Sequence, residues 1–279
     1  MSINQLSAQI KSSLKIPSLP EVVQRIQSLA RNPDTGTKEI GEVIAQDPEL
    51  AAKMLKLANS AFYGLRSPCL SAEHASSVLG MRVLKSIVSQ VAIMDMFDGI
   101  DNDGRFDVRA LWDHSIRTAH ICQFLHSKST ASFDVESDEL YMCGLLHDIG
   151  KMVLLAHLKS EYVDILIAAD GMKIPSSGLE QRELGYTHTD VGGVLGAHWS
   201  LPELLVNAIT QHHAAGDALL DQPVTAMVSC SDQLVHCIAE EQWPAANAIF
   251  SKPIKQLLGL NDQSVDDVIE FGKTLVIEL

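Results

Sequence analysis

The sequence predicts an all-α protein, and three observations carry that prediction. Nearly every periodic segment spaces its apolar residues three and four apart, which gathers them on one face of a helix. No run alternates apolar and polar residues as a half-buried strand does. Helix-start signals, by contrast, recur along the whole chain.

The first clear helix follows Pro20 and carries Val22, Val23, Ile26 and Leu29. Thr37 begins a short helix with Ile40, Val43 and Ile44. Asp47-Pro48 is a strong start signal. Asp as N-cap accepts from first-turn N–H groups, and proline's missing N–H costs nothing at the first helical position. The helix it opens carries Leu50, Met54, Leu57 and Ala58, and the segment closes at Gly64. Ser71 starts another that reaches Leu79-Gly80, and a longer one carries Val83, Leu84, Ile87, Val88 and Val91. Loops of these lengths suit an N-terminal bundle of about five helices.

Asp98 to Asp107 is acidic and contains glycine, but it is no calcium loop. With Gly104 as the loop glycine, Gly99 and Ala110 fall where oxygen ligands are obligatory. The stretch reads as a solvated linker between an N-terminal helical subdomain, 1–105, and a second helical domain, 106–279. In that second half, helices are predicted from about Val108 to His126 and from about Asp138 to His157. Thr187 to Asp190 has capping-box spacing and opens a further helix. Pro202 opens one running to His213, and Val224 to Ala239 forms another.

Composition bounds the function. The chain has 279 residues, 46% apolar and 20% charged, a globular balance. Its net charge of −14 repels phosphate backbones, so DNA binding is not expected. A phosphate ligand would need local positive charge from a metal or from particular basic side chains. Met1 to Lys15 lacks an apolar signal core, and no stretch approaches the roughly 20 apolar residues of a membrane span. Five scattered cysteines without a C-x-x-C pair fit a reducing compartment, so a cytoplasmic protein is expected.

The chemistry concentrates at Leu145-Leu146-His147-Asp148-Ile149-Gly150-Lys151. Adjacent His and Asp offer a neutral nitrogen and a carboxylate about 100° apart on a helix. They can share one metal, or the Asp can bridge two. Apolar neighbours place the pair on a buried face, where a charge needs a compensating partner. Lys151 follows three residues later, positioned to meet a phosphate. His114, His188, His212-His213 and Asp232 lie on further apolar segments. Imidazoles and carboxylates in this proportion suit one or two transition-metal ions (iron, manganese, zinc or nickel) better than magnesium or calcium. Asp148 and Lys151 are the candidate catalytic residues. The candidate metal ligands are His114, His147, Asp148, His188, His212, His213 and Asp232. His114 is preferred to His120, because six residues turn a helix by about 600° and separate their faces. His74, His126, His157, His198 and His236 have no motif context and read as structural or surface residues.

The ordered set His114, His147-Asp148 with Gly150-Lys151, His188, His212-His213 and Asp232 resembles the HD superfamily of metal-dependent phosphohydrolases, particularly its HD-GYP branch. Ile16-Pro17-Ser18-Leu19-Pro20, Ile44 to Pro48, Ala58 to Gly64, Leu79-Gly80 and Trp199-Ser200-Leu201-Pro202 are similar to the narrower HDOD family. The likeness spans roughly residue 12 to about 240. It implies an HD-superfamily helical bundle with an HDOD-like N-terminal subdomain, from a bacterial source. Ala214-Ala215-Gly216-Asp217-Ala218 follows the His pair without a Gly-Tyr-Pro motif, and Ala110 stands where some HD-GYP proteins place a Glu ligand. Those departures argue against a third metal and against cyclic di-GMP hydrolysis.

Two functions follow from the resemblance. One is a signalling or regulatory module with a retained metal site, whose partner is a signalling protein or a small phosphorylated or nucleotide effector. The other is a phosphohydrolase acting on a phosphomonoester, nucleotide or cyclic nucleotide, with a metal-bound water as nucleophile and Lys151 offsetting phosphate charge.

Overall fold

Helix starts in the protein follow its capping chemistry closely. The computed structural model describes residues 3–30, 36–100, 104–214, 216–241 and 248–277. Within the acidic stretch Asp98 to Asp107, residues 101–103 lie outside the described ones. All regular structure among the described residues is helical, with no strand.

Residues Ser18–Asp98 form one compact unit. It holds α2 (Glu21–Ala30), α3 (Thr37–Ala45), α4 (Pro48–Ala58), α5 (Ala72–Leu79) and α6 (Met81–Met96). At α4 the Asp47 carboxylate accepts from the backbone N–H of Glu49 and Leu50, at 3.1 and 3.0 Å. At α5 the Ser71 hydroxyl accepts from His74 N–H at 3.1 Å. Val23, Ile26, Ile40, Ile44, Leu50, Met54, Leu84, Ile87 and Val88 make its buried core, so the helical spacing marks the inward faces correctly.

The larger unit comprises Met1–Pro17 and Gly99–Ile277. It begins with α1 (Ile3–Ser13), a helix the sequence does not announce because few apolar residues mark its face. Ile10 and Leu14 are nevertheless buried. Two long-range hydrogen bonds fix this segment. The Trp199 indole N–H donates to the Pro17 carbonyl at 2.8 Å, and Lys15 N–H donates to His157 Nε2 at 2.8 Å.

The rest of this unit runs α7 (Val108–Lys128), α8 (Ser137–Leu146), α9 (Ile149–Leu158), α10 (Ser160–Met172), α11 (Ser176–Glu183) and α12 (His188–His198). There follow α13 (Glu203–Gln211), α14 (Pro223–Ala239), α15 (Lys252–Leu258) and α16 (Asp262–Thr274). Helix α7 packs against α8, α14 and α16, while α12 packs against α9 and α13. No helix among the described residues is long and apolar enough to cross a membrane.

One expected helix is broken. The predicted Asp138 to His157 helix is two helices, α8 and α9, joined by a turn at His147 and Asp148. Asp148 leaves helical geometry with φ −101° and ψ 12°. Two glycines bracket the turn and allow close approach on either side. A Cβ at Gly144 would overlap the backbone of Ala119 in α7, and one at Gly150 would overlap the His188 carbonyl at the start of α12. The turn is therefore pressed between the two helices that carry His114 and His188.

Candidate metal centre

Three of the histidines in the cluster, His147, His188 and His212, are aimed by a hydrogen bond at the far nitrogen. His147 Nδ1 donates to the Gly144 carbonyl at 2.7 Å. His212, one residue beyond α13, directs Nδ1 to the carbonyls of Ile209 and Ala208 at 3.0 and 3.2 Å. Carbonyls only accept, so both rings keep a proton on Nδ1 and turn Nε2 inward. His188 is fixed the same way by a carboxylate. Its Nδ1 donates to Glu180 Oε2 at 2.7 Å, and its backbone N–H donates to the same oxygen at 2.7 Å. That N–H is available because first-turn amides have no partner within their helix.

Helix α12 starts there because Thr187 and Asp190 close a capping box. Thr187 Oγ1 accepts from Asp190 N–H at 3.3 Å, and Asp190 Oδ2 accepts from Thr187 N–H at 2.8 Å. Glu180 is itself anchored, since its Oε1 accepts from Ser176 and from Tyr162, each at 2.7 Å.

The seven side chains singled out as ligands converge. Asp148 stands at the middle, and its two oxygens face different histidines. Oδ1 lies 3.2 Å from His188 Nε2 and 3.5 Å from His212 Nε2. Oδ2 lies 3.4 Å from His147 Nε2 and 3.8 Å from His114 Nε2. His213 Nε2 is 3.1 Å from His188 Nε2, and His114 Nε2 is 3.3 Å from His147 Nε2. Asp232, from the middle of α14, sets Oδ1 3.0 Å from His114 Nε2 and 3.7 Å from His147 Nε2. His147, His188, His212, Asp148 and Asp232 are buried, His114 is nearly so, and the His213 side chain is 28% exposed at the rim.

Lys151 also joins the group, with its ammonium 2.5 Å from Asp148 Oδ2. It is buried in that ion pair and does not face solvent.

Two observations test whether a cation fits. Asp148 Oδ1 and His212 Nε2 are buried without any hydrogen-bond partner, a rare and costly condition in proteins. Donors each about 2.1 Å from one ion stand about 3.0 Å apart at a right angle and about 3.4 Å apart at the tetrahedral angle. Five of the separations among His188, His212, His213, His147, His114 and Asp148, 3.1 to 3.5 Å, fall on or next to that range, while His114 to Asp148 is longer at 3.8 Å. Asp148, His188, His212 and His213 together could hold one ion, and His114, His147 and Asp148 a second.

Protonation of His114, His213 and His212 suits the same role. Burial holds His114 at about 4 and His213 at about 3, so both rings are neutral at pH 7. Burial also lowers His212. Burial acts in the same direction on His147, but the carboxylates of Asp148 and Asp232 outweigh it and raise the ring to about 10, so without a cation this ring is protonated and a metal would have to displace its Nε2 proton. Burial would raise the Asp148 and Asp232 carboxyls. Lys151 and His147 overcome it for Asp148, as the surrounding imidazoles do for Asp232, and both stay well below the usual carboxylate range.

Two members of the site do not stand out in the sequence. Glu180 sits in Leu179-Glu180-Gln181-Arg182-Glu183, a run resembling any solvated helix face. His236 lies one helical turn after Asp232, and its Nε2 is 3.4 Å from Asp232 Oδ1. The i, i+4 spacing was a signal for it, although no motif was.

A match to the HDOD domain covers residues 16–215. An uncharacterized protein of Treponema pallidum (strain Nichols) is 30% identical over 210 residues, 75% of this chain and 40% of that protein. The chain thus spans less than half the length of this curated relative. An HDOD domain protein of unknown function from Geobacter sulfurreducens shares the fold with a TM-score of 0.74, at 24% identity and 98% coverage of both chains. A candidate metal-dependent phosphohydrolase from Shewanella amazonensis SB2B does so with a TM-score of 0.67, at 21% identity, over 97% of this chain and 96% of its own.

Proposed function

Because this chain belongs to the HDOD family, we propose that it is a regulatory protein built round a divalent transition-metal centre, and that the centre retains the means to cleave a phosphoester. The observation that carries the reading is Asp148, a buried carboxylate with one oxygen facing His188 and His212 and the other facing His147 and His114.

Asp148, His188, His212 and His213 would hold one ion, and His114, His147, Asp148 and Asp232 a second. When bound, such ions supply Lewis acidity and lower the pKa of water from 15.7 to about 7. The chain supplies the rest. Glu180, the Gly144 carbonyl and the carbonyls of α13 hold three rings in one tautomer. The apolar packing behind the cluster keeps bulk water from its inner side, while the rim at His213 stays open. Lys151 balances the Asp148 charge while no cation does. With Asp148 neutralised by metal, the buried ammonium would add net positive charge beneath the site, which answers the chain's negative overall field. This role for Lys151 favours hydrolysis as the second reading beside effector binding.

The deciding experiment is elemental analysis of tag-free protein, comparing wild type with His147→Ala and with His212→Ala/His213→Ala. Near-stoichiometric iron, manganese, zinc or nickel that vanishes in the variants is the expected result. Folded wild type that holds no metal, and takes none up on reconstitution, would sink the metal centre. Turnover of phosphomonoesters, nucleotides or cyclic dinucleotides by the loaded protein then separates hydrolysis from effector binding.

A further inference from the structure

The outer end of the cluster carries a ligand set that includes a histidine outside the HD pattern. Asp232 and His236 stand at i and i+4 on α14 and so share a face. The His236 side chain is 63% exposed, yet its ring is not turned away to water. It lies against the His114 ring, with centroids 4.7 Å apart and planes inclined by 38°. Its Nε2 is 3.4 Å from Asp232 Oδ1, and His114 Nε2 is 3.0 Å from the same oxygen.

These values again match the separations of about 3.0 to 3.4 Å expected for donors round one ion. One oxygen of Asp232 is thus faced by the Nε2 atoms of three imidazoles, with His147 at 3.7 Å. A single carboxylate oxygen has too few lone pairs to serve three such donors well, whereas a cation beside it satisfies all of them. His114, Asp232 and His236 each offer a ligand atom within 4.8 Å of the others.

We propose that His236 is a metal ligand, and that with His114 and Asp232 it makes a solvent-side position for a divalent transition-metal ion. The inference rests on the reading that the cluster binds metal. It adds that the centre has two unequal ends: an inner end at the buried Asp148, His188 and His212 with His213 at its rim, and an outer end, at the more exposed His236, that would exchange its ion more readily. Because His236 lies at the surface, this position is open to water.

The test is titration of tag-free, chelator-treated full chain with Co2+, followed by calorimetry and by visible absorption. Wild type, His236→Ala, His236→Gln and His212→Ala/His213→Ala are compared. Wild type should show a tight and a weaker class of sites. Both His236 variants should keep the tight class and the wild-type melting curve. Their weaker class should be lost or weakened at least about tenfold, with a changed Co2+ absorption band. The double variant should lose the tight class instead. If His236→Ala and His236→Gln match wild type in stoichiometry, affinity and spectrum, His236 is a surface histidine and the proposal fails while the metal centre stands. Folded wild type that takes up no Co2+ removes both.

Discussion

A single oxygen of Glu180 holds His188 at two points, accepting the ring Nδ1–H and the backbone N–H at 2.7 Å each. The grip fixes both the rotation of the imidazole and the start of the helix that carries it. Among the described residues, the hydrogen bonds of Glu180 reach the cluster only through His188, so it acts by positioning. Glu180→Ala should lower divalent-metal affinity about 10- to 100-fold while leaving the number of ions at saturation unchanged. Calorimetric titration with Zn2+ or Mn2+ reads both quantities. An unchanged affinity would show that His188 is held by packing alone.

The same carboxylate predicts how stability depends on acid. Glu180 is buried, which by itself would raise its pKa; the hydrogen bonds and charge of His188 and the hydroxyl of Ser176 hold it instead at about 2, against 4.5 for an ordinary Glu. A folded pKa below the unfolded one means the contribution is complete above the unfolded value and fades as pH falls toward the folded value. Metal-free wild type should therefore exceed Glu180→Gln in denaturation midpoint at pH 6, with the gap closing between pH 4.5 and 2. A gap that stays constant through this window would place the stabilisation elsewhere.

Lys151 and Asp148 form a buried ion pair, and burial makes the loss of one partner expensive. Lys151→Met should destabilise the metal-free protein by about 3–5 kcal/mol in urea denaturation. Saturating metal should recover much of that loss, because a cation at Asp148 replaces the missing ammonium. An equal deficit with and without metal would mean the ammonium has no electrostatic duty there.

At Gly150 a side chain meets backbone and has nowhere to move. Gly150→Ala should cost about 1–3 kcal/mol by overpacking, even though alanine is the better helix former. It should also weaken metal binding, since relief requires α9 and α12 to separate and carry Asp148 away from His188. A variant as stable as wild type, with native affinity, would contradict the close approach.

Much of this site is legible in the sequence because its parts are local. Asp47-Pro48, Ser71 and the Thr187–Asp190 box act within one turn, and each opens the helix expected of it. The pair His147-Asp148 is legible for its chemistry but not for its conformation. Apolar residues continue on both sides at helical spacing, so nothing local marks the break. The break comes from packing: Gly144 and Gly150 let neighbouring backbones press in from both sides. Glu180 is hidden for the opposite reason. Its partners Tyr162, Ser176 and His188 come from three different helical segments, and its own sequence neighbours are polar. His236 has no motif to mark it, although its spacing from Asp232 puts it on the same helix face.

Asp232 and His236 lie on α14, beyond the stretch that matches the HDOD domain at residues 16–215. At the other border, the Pro17 carbonyl that receives the Trp199 indole N–H is only the second residue inside the matched stretch. An expression boundary drawn at those limits would remove α1 and amputate the carboxylate that faces His114. Such a fragment would be a poor witness, since a failure to bind metal or turn over substrate would report the scissors and not the protein. Inventories of metal-competent family members gathered over the matched stretch alone would likewise miss whether a chain supplies this second carboxylate.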